Sequence, residues 1–117
     1  MDEIKWRDSV TGAIEYCVVE EYMLGTYWNG ISLEIYNISH WVNYALGLTE
    51  NPPGGYEYKA TFPNTLAVGY YLVSIYRQLG ISPLITDTLL GRIPVYWDGS
   101  NLLYTGIQIP FVDLRSG

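Results

Sequence analysis

"LAVGYYLVSIYRQ", residues 66–78, decides the fold class. Gly69 opens a run in which Tyr70 through Tyr76 are apolar on nearly both faces, broken only by Ser74. Such a run is too short and too rich in aromatic and β-branched residues for a helix, and it reads as a strand with the core on one side and a neighbour on the other. "AIEYCVVEE" (13–21) and "RIPVYW" (92–97) have the same character, so these three belong at the centre of a sheet or at an interface.

Working outward, period two persists. In "GYEYKATFP", Tyr56, Tyr58, Ala60 and Phe62 share one face while Glu57, Lys59 and Thr61 share the other, the pattern of a half-buried strand. In "ISLEIYN", Ile31, Leu33 and Ile35 alternate with Ser32, Glu34 and Tyr36. "HWVNYALGLTE" fits two periods: Trp41, Tyr44, Ala45 and Leu48 at helical spacing, and Val42, Tyr44, Leu46 and Leu48 at strand spacing. Gly47 and the following "NPPGG" favour a strand that ends in a turn. Turn signals recur at 9–12, 27–30, 51–55, 62–69, 79–83 and 97–101. Leu66, Gly69 and Tyr71 match the tyrosine corner of immunoglobulin-like sandwiches, where a Tyr near the start of the penultimate strand bonds back to the preceding backbone. The expectation is an all-β, Ig-like antiparallel β-sandwich over residues 1–101, with strands near 3–7, 13–21, 31–36, 42–49, 56–62, 70–78 and 92–97. Residues 102–117 are too apolar for a free tail and are expected to form an eighth strand, in a hairpin with 92–97 or as an arm for a neighbouring subunit.

A chain of 117 residues is one domain and can bury a core without staples. Cys17, the lone cysteine, lies in an apolar strand and reads as a small buried hydrophobe. The acidic N-terminus and the lack of a long apolar window point to neither a signal peptide nor a membrane span. With 12 Asp and Glu against 6 Lys and Arg, the surface repels phosphates, so nucleic acid is not expected as a partner. His40 is the only histidine, and GxSxG and HExxH are missing, so no catalytic residue, metal ligand or cofactor is expected. Asp98, Ser100 and Asn101 in "PVYWDGSN" (94–101) offer one carboxylate only, which suits a tight turn better than a calcium loop.

The unusual feature is 12 Tyr and 4 Trp in so short a chain. Such side chains give contact surfaces a large apolar area with one polar handle. The candidate interface residues are Tyr27, Trp28 and Trp41, then Tyr96 on the face opposite Trp97, and Tyr104, Ile107, Ile109 and Phe111 from the C-terminal segment. From "WNG" at 28–30 to "WDGS" at 97–100, with "GGYEYKATFPN" and "AVGYYLVSIYRQLG" between them, the chain resembles a small β-sandwich domain of tailed-bacteriophage structural proteins and of environmental bacterial proteins. The resemblance rests most on Trp28, Asn29, Gly30, Trp41, Tyr44, Tyr56, Phe62, Pro63, Gly69, Tyr71, Asp87, Trp97, Asp98 and Gly99. It carries no catalytic residues and implies an accessory or assembly-associated module. The expectation is therefore a non-enzymatic virion protein, a capsid decoration (cement) protein or small tail accessory protein assembled in the host cytoplasm. Its partners would be the major capsid protein or other virion proteins and further copies of itself, a trimer suiting a threefold position. A carbohydrate-binding adhesion module is the alternative. It requires exposed aromatics around Trp28 or Trp97.

Overall fold

The computed structural model describes residues 2–104. Along them run β1 (Glu3–Arg7), β2 (Glu15–Glu21), β3 (Tyr27–Trp28), β4 (Leu33–Glu34), a 3-10 turn (Ile38–His40), the one-turn helix α1 (Trp41–Tyr44), β5 (Leu46–Glu50), β6 (Glu57–Thr61), β7 (Gly69–Arg77), β8 (Thr88–Trp97) and β9 (Leu102–Leu103). All pairings are antiparallel, and the main path through the sheet is β1-β6-β5-β2-β7-β8-β9, with the β3–β4 hairpin attached to the far end of β2. The all-β antiparallel class read from the sequence is thus what the structure shows. Because β5 pairs with β2 on one side and β6 on the other, the path is continuous, and it curves into a nearly closed, barrel-like shape.

Closure is made by a side chain. The Tyr104 hydroxyl donates to the Glu3 carbonyl at 2.6 Å and accepts from the Lys5 amide at 2.8 Å, serving two outward-facing backbone groups of β1 as a neighbouring strand would. Nearby, Trp6 lies across Gly91, where a Cβ would stand 2.7 Å from the indole Cη2, so glycine is what lets β8 pass the ring. The β7–β8 register shifts there, between Ile75 and Tyr76.

The central strands explain their two-faced apolar sequence. β2 and β7 pair from Glu15↔Arg77 to Glu21↔Tyr71. Their inward residues Cys17, Val19, Val73 and Ile75 join Ile4, Phe62, Val95 and Trp97 in the interior core. Their outward residues Tyr16, Val18 and Tyr76 form a second core with Tyr27, Trp41 and Tyr44. Cys17 is fully buried, and burial pushes its thiol up to about 12, so it is a core residue.

The tyrosine corner is present as a local device: the Tyr71 hydroxyl donates to the Ala67 carbonyl at 2.6 Å, and the Trp97 indole donates to the Leu66 carbonyl at 3.1 Å. Both rings pack on Phe62, which fixes the 62–68 loop over one end of the interior. "WDGSN" is a turn, with the Asp98 carboxylate accepting from the amides of Ser100 and Asn101 and Gly99 at φ 98°.

Two expectations need correcting. The strand expected over 31–36 is only Leu33–Glu34, because the Asn29 side chain accepts from the amides of Ile31 and Ser32 and turns the chain before it. Of the three alternating apolar residues, Leu33 alone packs on the core, while Ile31 and Ile35 face solvent. The strand expected over 42–49 starts at Leu46; before it, Trp41 and Tyr44 sit at helical spacing and both enter the second core. Helical period prevails up to Ala45 and strand period after it. β9 pairs with β8 in a hairpin, Tyr96↔Leu103 and Trp97↔Leu102.

Candidate functional site

Between β2 and β5 the chain makes a long excursion, residues 22–45, over the outer face of the β2–β7 pair. Its backbone is wired from within by one carboxylate. Glu34 accepts from the Tyr44 hydroxyl at 2.6 Å and from the Asn29 amide at 2.6 Å, and its Oε2 lies 2.8 Å from His40 Nδ1. These partners hold the Glu34 carboxyl down at about 2, while burial and then Glu34 itself push the Tyr44 hydroxyl up to about 12. The Tyr44 oxygen also accepts from the Asn37 amide, and the Asn37 side chain accepts from the Ser39 amide to start the 3-10 turn. One side chain on β4 thus ties the β3–β4 turn, the 3-10 turn and α1 together.

What this scaffold displays is apolar. Ile31 at the hairpin tip is 86% exposed and Ile35 is 84% exposed, and Met23, Leu24, Ile38 and Val42 are exposed as well. Beside it, the β7–β8 loop exposes Leu79, Ile81, Leu84 and Ile85. That loop is wired in the same way: Asp87 accepts from the amides of Leu79 and Leu84 and from the Tyr16 hydroxyl, the last at 2.7 Å. Burial alone would raise the Asp87 carboxyl, but the Leu84 amide, the Tyr16 hydroxyl and the Leu79 amide together hold it below the usual range. The Tyr16 oxygen accepts in turn from the Trp41 indole at 3.1 Å. The chain Trp41 to Tyr16 to Asp87 therefore links α1 to the β7–β8 loop across β2.

Charge is nearly missing from this face. No Lys or Arg occurs between Arg7 and Lys59, or between Arg77 and Arg92, and both segments fall inside those windows. Their carboxylates, Glu34 and Asp87, are spent on internal hydrogen bonds. An exposed apolar surface on a prearranged backbone and poor in charge has the character of a protein-contact surface, since interface cores are depleted of charged groups and contiguous apolar patches on monomers mark interaction sites. Prearrangement also lowers the ordering cost of binding.

The residues singled out from sequence divide. Tyr27 and Trp41 are buried in the second core and hold the excursion in place, a correction to their reading as contact residues. Trp28 is half-buried and packs against the interior core. Trp97 is 1% exposed and offers no ring face to a sugar. Tyr96 is half-buried against Tyr70, ring centroids 4.9 Å apart. Tyr104 is exposed and closes the sheet through its hydroxyl. Ile107, Ile109 and Phe111 lie outside the described residues. Sequence reading missed the exposed isoleucines because it took Ile31 and Ile35 as members of an alternating strand; the long windows without Lys or Arg were the available signal. Among the described residues no three His, Cys, Asp or Glu side chains are grouped to hold a metal, and no helix is long and apolar enough to cross a membrane. No protein-family model, curated protein or solved structure matches the chain.

Proposed function

We propose that this chain is a non-enzymatic structural protein of a tailed-phage virion, a capsid decoration protein or a small tail accessory protein. It would seat on the major capsid protein or another virion protein through the face formed by residues 22–45 and 79–89. The single observation that carries the docking reading is the pairing of two exposed apolar segments, free of Lys and Arg and with their carboxylates tied up internally, on one wired scaffold. The virion setting comes from the sequence resemblance. A glycan-binding role is the weaker reading, because Trp41 and Trp97, two of the four tryptophans, are buried.

The partner surface would itself be apolar and poor in charge, so the contact should vary little with salt, unlike one steered by charge. Homo-oligomers at a symmetry axis of the particle suit such a module. The test compares the wild-type chain with the Ile35→Asp/Ile81→Asp variant for co-sedimentation with particles of the phage that encodes it, at low and high salt. Binding of the wild type alone, little changed by salt, supports the reading; equal binding of both overturns it. A glycan array with the wild type reads the alternative.

A further inference from the structure

At the Glu15↔Arg77 end of the β2–β7 pair, three ionisable groups meet. Glu15 on β2 is 2% exposed. Asp8, just past the end of β1, receives Arg77 Nη2 from β7 at 2.7 Å, and Arg77 Nε stands 3.9 Å from Glu15 Oε2. The two carboxyls are unequally served. Asp8 accepts from Arg77 and from the amides of Ser9 and Val10. Neither oxygen of Glu15 accepts a hydrogen bond. A buried carboxylate with no donors is costly, whereas a neutral carboxyl beside an anion can donate.

We propose that Asp8 and Glu15 form a proton-binding pair: Glu15 carries the proton and donates it to the Asp8 carboxylate, and loss of that proton releases the 8–14 loop from the end of the sheet. Every charged or titratable group facing the pair fits this assignment. Arg77 supplies one positive charge from β7; Glu50, at the end of β5, adds negative charge; and the Tyr58 hydroxyl from β6 is committed to the Val10 carbonyl and the Ala13 amide. Burial, then Asp8, pushes the Glu15 carboxyl up to about 8; Glu15, with Arg77 and the Ser9 amide, holds Asp8 at about 2. Once Glu15 ionises, two carboxylates face one guanidinium. Glu15 is fixed in mid-sheet by its pairing with Leu48 and Arg77, so Asp8 and the 8–14 loop are the part that must yield, against the hydrogen bonds that Tyr58 and Glu50 make to that loop.

The sign follows from proton linkage. The folded protein holds the Glu15 proton to higher pH than the unfolded chain does, so stability is full below the unfolded value of 4.5 and falls as pH rises towards 8. The folding constant should drop by up to about tenfold per pH unit in that window. Urea unfolding of the wild type and of Glu15→Gln, whose amide can donate to Asp8 at any pH, tests this. The wild type should show the slope and the variant should lose it; parallel profiles overturn the proposal. A carbon-13 titration of the wild-type Glu15 carboxyl, which needs no variant, should give a midpoint well above the ordinary glutamate range, and a midpoint near 4.5 overturns it.

Discussion

Glu34 shows how one side chain can organise a segment that has little regular structure. Its partners lie in the β3–β4 turn, on the 3-10 turn and on α1, so its loss should be felt across residues 29–44 and hardly at all in the interior core. Replacing it by Gln puts an NH2 group against donors. For Glu34→Gln we expect faster amide exchange over 29–44, with Val19 and Val73 in the barrel unchanged; uniform loss of protection would show that the excursion is not a separate unit. Acid should act in the same way. The Glu34 carboxyl is held at about 2, below its unfolded value, so its contribution is present above 4.5 and is lost as pH falls through 2. At this scale the sequence was readable where a residue's role is local. Asp98 and Gly99 make their own turn, and Tyr71 bonds back four residues. Glu34 was not readable, because its partners Asn29, His40 and Tyr44 meet only after the chain has folded over β2 and β7.

Among elements, the strands with one buried face, or with two, were the legible ones. β1 was placed at residues 3–7, as found, and β6, β7 and β8 were placed with shifted ends. The excursion defeated period counting because a second core covers the outer face of β2 and β7, and that core draws Trp41 and Tyr44 in at helical spacing. Val42 is consequently turned outward, and the short β3–β4 hairpin leaves Ile31 and Ile35 exposed. Tyr16 joins this excursion to the β7–β8 loop. Tyr16→Phe leaves the Trp41 N–H and one Asp87 oxygen without that partner and should cost about 1–3 kcal/mol in urea unfolding. The same change should raise exchange in both 35–45 and 79–87. A response confined to one loop would mean that the two are not coupled through this hydroxyl.

The whole molecule is a sheet that nearly closes, and its closure is the feature least visible beforehand. Glu3, Lys5 and Tyr104 meet from opposite ends of the described chain, and Trp6 depends on the missing Cβ of Gly91. Gly91→Ala forces the Trp6 ring off its site and should cost about 1–3 kcal/mol, with a shift in tryptophan emission; an unchanged midpoint would show that the ring has room to move. The second core packs on this sheet and carries the outer face, and that face carries the central claim. Its most direct test is to purify particles of the phage that, on the proposed function, encodes this chain on a density gradient and ask where the chain migrates, as wild type and as Ile35→Asp/Ile81→Asp, with Thr61→Asp as a substitution on β6 outside the face. We predict that wild type and Thr61→Asp travel with the particles, while the double variant, folded to within about 0.5 kcal/mol of wild type, stays at the top of the gradient. Wild-type chain found only at the top, or a double variant found with the particles, would contradict the account.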